Sequence, residues 1–279
     1  MSPRSVPSDA MTVEGSTCIV TGAARGIGLA IADRLLAEGA AGVTVTDLDP
    51  ADCAAAAAQL YERHGDHVLD HAADVSDPAE VETLVSRTVE RFGPVDVFVA
   101  NAGIGTMMGL HADDEAWQRI WQVNVMAHVV AARIVVPGML ERGGGTFITT
   151  VSAAGLLAQI GDAPYSVTKH AAEAFAEWLS ITYGDAGLTV HCICPQGVNT
   201  AMVQGAGDSS AGTTVRMQGL IEPEQVADAL MAAMADGRFL VLPHPEVAGY
   251  YERRASDPDR WLAGMRRLQA KVLGEPDHP

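Results

Sequence analysis

The chain has 279 residues, with 35 acidic against 18 basic side chains and a formal net charge of −17 at pH 7. That balance argues against nucleic acid and anionic membranes as partners, which it would repel. The length and an ordinary apolar content allow one large α/β domain or two small ones.

The first dozen residues, MSPRSVPSDAMT, lack the apolar stretch of a signal peptide. Residues 17–21 (TCIVT) form a short apolar run ending at a glycine, the pattern of a buried parallel strand. The loop 22–28 (GAARGIG) follows, then Ile27, Ile31, Leu35 and Leu36 at helical spacing. Strand, glycine turn and helix form the context in which such a loop holds a phosphate. Gly22, Gly26 and Gly28 permit a tight turn and close backbone approach, and the helix N-terminus meets the anion. The spacing is G-x-x-x-G-x-G, not the more common G-x-G-x-x-G.

Residues 42–46 (GVTVT) predict a second strand, closed by Asp47, nineteen residues after Gly28. A carboxylate there hydrogen-bonds an adenosine ribose and repels a 2′-phosphate, which favours NAD over NADP. Arg25, a basic residue in the glycine loop, points the other way. Asp47 ranks higher because its charge sits directly at the ribose hydroxyls.

A helix over 50–63 and a third strand over 67–72 come next, the latter followed by Asp74-Val75. Asp77 reads as the N-cap and Pro78 as the first residue of a helix running to Phe92. Residues 95–100 (VDVFVA) form a fourth strand ending at Asn101-Ala102-Gly103. Strands alternating with helices predict an α/β, doubly wound parallel sheet of about seven strands with helices on both faces. Gly22, Asp47, Asp74 and Asn101 all fall at carboxyl ends of strands, where ligands bind in such sheets.

Residues 113–140 read as mostly helical, with Asn124 among apolar neighbours. No apolar run is read as long enough to cross a bilayer, since 126–139 is interrupted by His128, Arg133 and Pro137. A cytoplasmic protein is therefore expected. Residues 146–151 predict the fifth strand with Ser152 at its end, 164–183 a helix, and 188–194 the sixth strand, followed by 195–200 (PQGVNT). The Gly-, Ser- and Thr-rich stretch 201–219 reads as a mobile lid anchored by Met202 and Met217. A helix over 222–235 and a last strand over 239–242 complete the sheet. The tail 244–279 is longer than the sheet needs and has amphipathic spacing over 260–272. The expected organisation is a flexible terminus over 1–13, one domain over 14–243 and a C-terminal extension. Cys18, Cys53, Cys192 and Cys194 form no C-x-x-C pair and read as reduced thiols, three of them in strand-like runs. His64, His67 and His71 lie away from the carboxyl-end crevice, and no metal site is expected.

Ser152 is followed thirteen residues later by Tyr165, and Lys169 comes four residues after that. On a helix Tyr165 and Lys169 share one face. An ammonium beside a phenol lowers its pKa, giving a proton-transferring group usable near neutral pH.

The set TGAARGIG, Asp74-Val75, Asn101-Ala102-Gly103, Asn124, Ser152, YSVTK and PQGVNT resembles the short-chain dehydrogenase/reductase family, in order and spacing, over residues 14–243. The resemblance implies NAD-dependent interconversion of a secondary alcohol and a ketone. It implies Tyr165 as general acid/base, Lys169 holding the nicotinamide ribose, Ser152 holding the substrate oxygen and Asn124 positioning a relay water. Gly22, Arg25, Gly26, Ile27 and Gly28 would hold the pyrophosphate end, Asp47 and Leu48 the adenosine ribose, and Asp74 and Val75 the adenine. Asn101, Ala102 and Gly103 would lie along the cofactor, and Pro195, Gly197, Val198 and Thr200 would meet the nicotinamide. Gln196 departs from the family, which has glycine directly after that proline. It either faces the substrate or turns to solvent. Ala100 stands where many relatives carry asparagine.

The expected pocket wall is Ile104, Ala153, Ala154, Leu156, Leu157, Ile160, Gln196, Met202 and Met217, apolar and mostly small or flexible. Arg216 is the lid's one cation, so the expected substrate is uncharged and cyclic, aromatic or terpenoid/steroid-like. NADP dependence, or a 3-hydroxyacyl or 3-oxoacyl substrate, is the alternative, and a non-catalytic dinucleotide-binding regulator a further one. The family resemblance also implies a homotetramer.

Overall fold

The computed structural model describes residues 13–217 and 219–273. The flexible terminus expected over 1–13 lies outside these, except for Val13, which is buried. The chain alternates strand and helix. The first half runs β1 (Thr17–Thr21), α1 (Gly26–Ala37), β2 (Gly42–Thr46), α2 (Pro50–His64), β3 (Val68–Asp70), α3 (Pro78–Phe92) and β4 (Val97–Ala100). Next come α4 (Asp114–Trp121), a π-helical turn (Gln122–Met126), α5 (Ala127–Glu141), β5 (Gly145–Thr150), α6 (Ala153–Leu156), α7 (Ala163–Tyr183) and β6 (Leu188–Ile193). The last third holds α8 (Ala201–Gly205), α9 (Ser210–Met217), α10 (Pro223–Asp236), β7 (Leu240–Val241), α11 (Glu246–Ser256) and α12 (Pro258–Leu273).

The strands form one seven-stranded parallel sheet in the order β3-β2-β1-β4-β5-β6-β7. The period-two alternation of a strand sorts side chains to its two faces. Cys18, Val20, Val97, Val99 and Ile148 join Ile31 and Leu35 of α1 and Leu230 of α10. Ile19, Phe98 and Phe147 join Met139 of α5 and Ala172 and Ala176 of α7 on the other face. Phe98 and Phe147 stack at 5.7 Å between centroids. All four cysteines are buried and free.

Aspartates start four of the helices. Asp49, Asp77, Asp113 and Asp162 each accept a backbone N–H from the first turn of α2, α3, α4 and α7. The Asp77 cap and Pro78 start agree with the sequence reading. The continuous helical stretch Asp114–Glu141, 28 residues, is long and apolar enough to cross a membrane by length and composition. This corrects the expectation that no such run exists. In the fold 61 % of its apolar window is buried, as befits a core helix.

Three further differences concern the edges. Strand β3 spans three residues, shorter than expected, at the edge of the sheet. The stretch read as a lid is folded into α8 and α9. The extension contributes two helices, of which only α12 was signalled by amphipathic spacing.

Candidate active site

The order of the strands reverses between β1 and β4, and a cavity of about 790 Å³ opens along the carboxyl ends of the sheet there. Its floor includes Gly22, Arg25, Gly26, Ile27, Asp47, Leu48, Asp74, Val75, Asn101, Ala102 and Gly103. The far end carries Ser152, Ala154, Tyr165, Lys169, Pro195, Gln196, Val198, Thr200, Met202 and Met217.

The glycine loop is shaped by contact. Gly22 and Gly26 have φ of +61° and +57°, open to glycine at little cost. A Cβ on Gly28 would lie 2.3 Å from the Gly22 carbonyl oxygen and 2.6 Å from Asn101 Nδ2. Asn101 Nδ2 donates to the carbonyls of Thr21, at 2.9 Å, and Gly22, at 3.1 Å, clamping β1 to β4 beneath the turn. Gly28 is therefore a packing residue under the floor. Helix α1 carries no side-chain cap and no acid in its first turn, in contrast to the aspartate-capped helices. Its N–H groups and dipole are left for an anion. Asp47 Oδ2 accepts from Ala24 N at 3.3 Å and Oδ1 from Leu48 N at 2.9 Å, holding the carboxylate at the cavity edge. Arg25 turns to Asp52 at 2.5 Å, and Arg119 to Asp74 at 3.3 Å. A glycine turn, an uncapped helix start and a carboxylate held at the cavity edge fit a dinucleotide.

At the other end Lys169 is 3 % exposed, and its Nζ donates to the Thr150 carbonyl at 2.9 Å. Burial pulls its pKa down to about 8. The same Nζ lies 5.6 Å from the Tyr165 ring centroid. Tyr165 is half-buried at the cavity. Desolvation pushes its phenol up to about 12, Ser152 works against this through its hydroxyl, and the charge of Asp162 adds to it. Burial is the largest of these influences on the phenol in the protein alone. Ser152 Oγ accepts from Ala154 N at 3.1 Å and faces the Pro195 carbonyl at 3.4 Å.

Asn124 does not line the cavity. It is fully buried in the π-helical turn, a local widening of a helix often found at functional sites. Its Oδ1 accepts from Ile104 N and its Nδ2 donates to Ile104 O, both at 2.9 Å, with Thr168 Oγ1 at 3.2 Å. The side chain is spent on holding the wall of the site. Gly197 is also behind the surface. A Cβ there would lie 2.8 Å from the Gly219 carbonyl. Leu156 and Ile160, expected at the substrate, are buried outside the cavity lining, because the short turn of α6 points Leu156 into the core. Leu157, Ala158 and Gln159 line it in their place. Gln196 is half-buried and lines the cavity, and its backbone N donates to His244 Nδ1 at 3.1 Å.

Sequence reasoning missed Asp162, 2 % exposed, which accepts from Thr106 N, Thr106 Oγ1, Met107 N and Tyr165 N at 2.7–3.0 Å. It holds Met107 at a φ of +55°, a left-handed conformation that an unbranched side chain adopts only under constraint. The D-A-P sequence before Tyr165 was a readable capping signal. The C-terminal extension forms a roof: Tyr250, Arg253, Trp261, Met265 and Leu268 of α11 and α12 line the same cavity.

A family model described as short chain dehydrogenase matches residues 16–211. The 1-deoxy-11-beta-hydroxypentalenate dehydrogenase of Streptomyces exfoliatus is 34 % identical over 242 residues, covering 85 % of this chain and 86 % of its own. A short chain dehydrogenase/reductase from Burkholderia phymatum, solved in complex with NAD, superposes with a TM-score of 0.82 at 26 % identity, over 89 % of this chain and 95 % of that one. L-Sorbose reductase from Gluconobacter frateurii, solved with NADPH and L-sorbose, gives 0.75 at 30 % identity, over 84 % and 96 %.

Proposed function

The chain belongs to the short-chain dehydrogenase family and is an NAD(P)-dependent dehydrogenase/ketoreductase, and within that class we propose that it uses NAD to interconvert a secondary alcohol and a ketone on a large apolar, ring-containing substrate. The observation that carries the reading is the single cavity that joins a dinucleotide cradle to Ser152, Tyr165 and Lys169. The nicotinamide, when bound, accepts or supplies the hydride.

The chain's own residues move the proton and hold the oxygen. In oxidation Tyr165 takes the hydroxyl proton, and in reduction it returns one to the carbonyl oxygen. Ser152 fixes that oxygen by hydrogen bonding. Lys169, buried and tied to Thr150, offers a positive charge that stabilises the phenolate form and holds the ribose. Asn124 keeps Ile104, and so the wall beside Gly103, in place. A Cβ on Gly103 would lie 3.2 Å from Lys169 Nζ and 3.3 Å from Asn124 Oδ1, so these groups are packed as a unit.

NAD is favoured over NADP by the fixed Asp47 carboxylate and by the pairing of Arg25 with Asp52, which leaves that arginine neutralised. The apolar substrate is supported by Leu157, Met202, Met217, Trp261, Met265 and Leu268 around the cavity. Self-association, as a homotetramer, is supported by Val167, Trp178 and Ile181, exposed on α7 at 48 %, 51 % and 77 %. We place the enzyme in the cytoplasm. Incubation with NAD and a panel of secondary alcohols, followed by NADH absorbance, tests the reading. Turnover supports it, and none across a broad cyclic and steroid panel refutes it.

A further inference from the structure

Three arginines line the cavity, Arg25, Arg119 and Arg253. The first two are neutralised by Asp52 and Asp74. Arg253 has no carboxylate within ion-pair distance among the described residues. Its guanidinium lies over the Tyr250 ring, 5.0 Å from the centroid, and Tyr250 packs at 6.4 Å against Trp261. The next residue, Arg254, donates to the Leu156 carbonyl. That bond anchors α11 to the segment that begins at Ser152, at the substrate end of the cavity. A guanidinium stacked on an aromatic face keeps its N–H edge free, and its planar fork matches a carboxylate with two parallel hydrogen bonds.

We infer that Arg253 anchors a carboxylate on the substrate, which is then an alicyclic hydroxy or keto acid: its apolar body fills the space under α12, its acid group pairs with Arg253 and its carbinol reaches Tyr165. The inference rests on the proposed function, since it takes the cavity as the alcohol site. One exposed arginine, stacked on the Tyr250 ring and lining the cavity, matches a monoanion. A phosphate or CoA group would call for several cations. The uncharged substrate expected from the sequence considered only the lid. Its Arg216 is engaged with the Gly207 carbonyl and lies 3.7 Å from Asp208, and it does not line the cavity.

The test is calorimetric titration of the full chain, saturated with NAD, with adamantane-1-carboxylate and with its neutral isostere adamantane-1-carboxamide. The expected result is carboxylate binding at least about tenfold tighter than the amide. Arg253→Gln should erase that ratio and leave the amide affinity where it was, and Arg253→Lys should retain part of it. Equal affinity of the two probes for the wild type, a preference that survives in Arg253→Gln, or failure of both probes to bind at millimolar concentration overturns the inference. The readout needs no hydride transfer. Carboxylate preference without turnover of any alcohol refutes the proposed function and leaves the Arg253 site, whereas turnover of neutral alcohols without acid preference does the reverse.

Discussion

Asp162 caps the helix that carries Tyr165: its Oδ1 accepts the Tyr165 backbone N–H at 3.0 Å, and its charge raises the phenol pKa. The same carboxylate binds Thr106 and Met107, so one side chain sets the position of the tyrosine and of the facing wall. Replacing it with alanine removes a helix cap and leaves buried N–H groups unpaired. Asp162→Ala is expected to lose on the order of 3 kcal/mol in urea unfolding. A loss under about 0.5 kcal/mol, the size of an ordinary surface substitution, would count against this role.

Two acids bear on cofactor choice. Asp47 stands at the end of β2, and Asp52 neutralises Arg25. Asp47→Asn should lower the NAD-to-NADP ratio of kcat/KM by at least about tenfold, the change expected when one charge repulsion at the 2′-position is removed. Adding Asp52→Ala, which frees Arg25, should shift it further. An unchanged ratio in the double variant would show that discrimination lies elsewhere.

Lys169 sets function against stability. Its pKa falls from 10.5 to about 8 through burial, so the unfolded chain holds this proton more tightly than the folded one between about pH 8 and 10.5. The penalty is present in full below pH 8 and is relieved as pH rises through that window. Lys169→Met removes the buried charge but strands the Thr150 carbonyl, which that ammonium now satisfies. The variant is expected to be at least as stable as the wild type at pH 7, as measured by thermal melting, with activity down by about 10²-fold or more. A melting temperature well below wild type would contradict the account of Lys169 as a destabilising, functional charge.

The exposed face of α7 predicts assembly. Ile181→Asp places a charge on that stripe and should shift the particle mass to smaller species in light scattering, with the monomer fold intact by circular dichroism. An unchanged mass would remove α7 from the interface.

Much of this was legible in the sequence because it is local. Asp77-Pro78 announces a helix start, TCIVT a buried strand and GAARGIG a phosphate turn, and each signal lies within a few residues. Tyr165 and Lys169 could be paired by helical spacing alone. The unread parts depend on contacts between distant segments. Asp162 was visible as a cap, but its bonds to Thr106 and Met107 span more than 50 residues. Arg253 gains meaning only where α11 meets Leu156. Leu156 and Leu157 are neighbours of one chemistry, and only the turn of α6 decides which one lines the cavity. The Gly- and Ser-rich composition of 201–219 hid two short helices, of which α9 packs against α12 of the extension and α8 against α9. Spacing reveals the ammonium near Tyr165 and not the burial of the phenol, which only the fold shows.

The central claim is that Tyr165 transfers the proton in a site whose cofactor cradle is separate from it. Tyr165→Phe, which removes only the phenolic hydroxyl, measures this most directly when turnover by NADH absorbance is set beside NADH binding by fluorescence. Turnover should fall by about 10²–10⁴-fold, with NADH affinity near that of the wild type. Turnover within tenfold of wild type, with the fold intact, would contradict it.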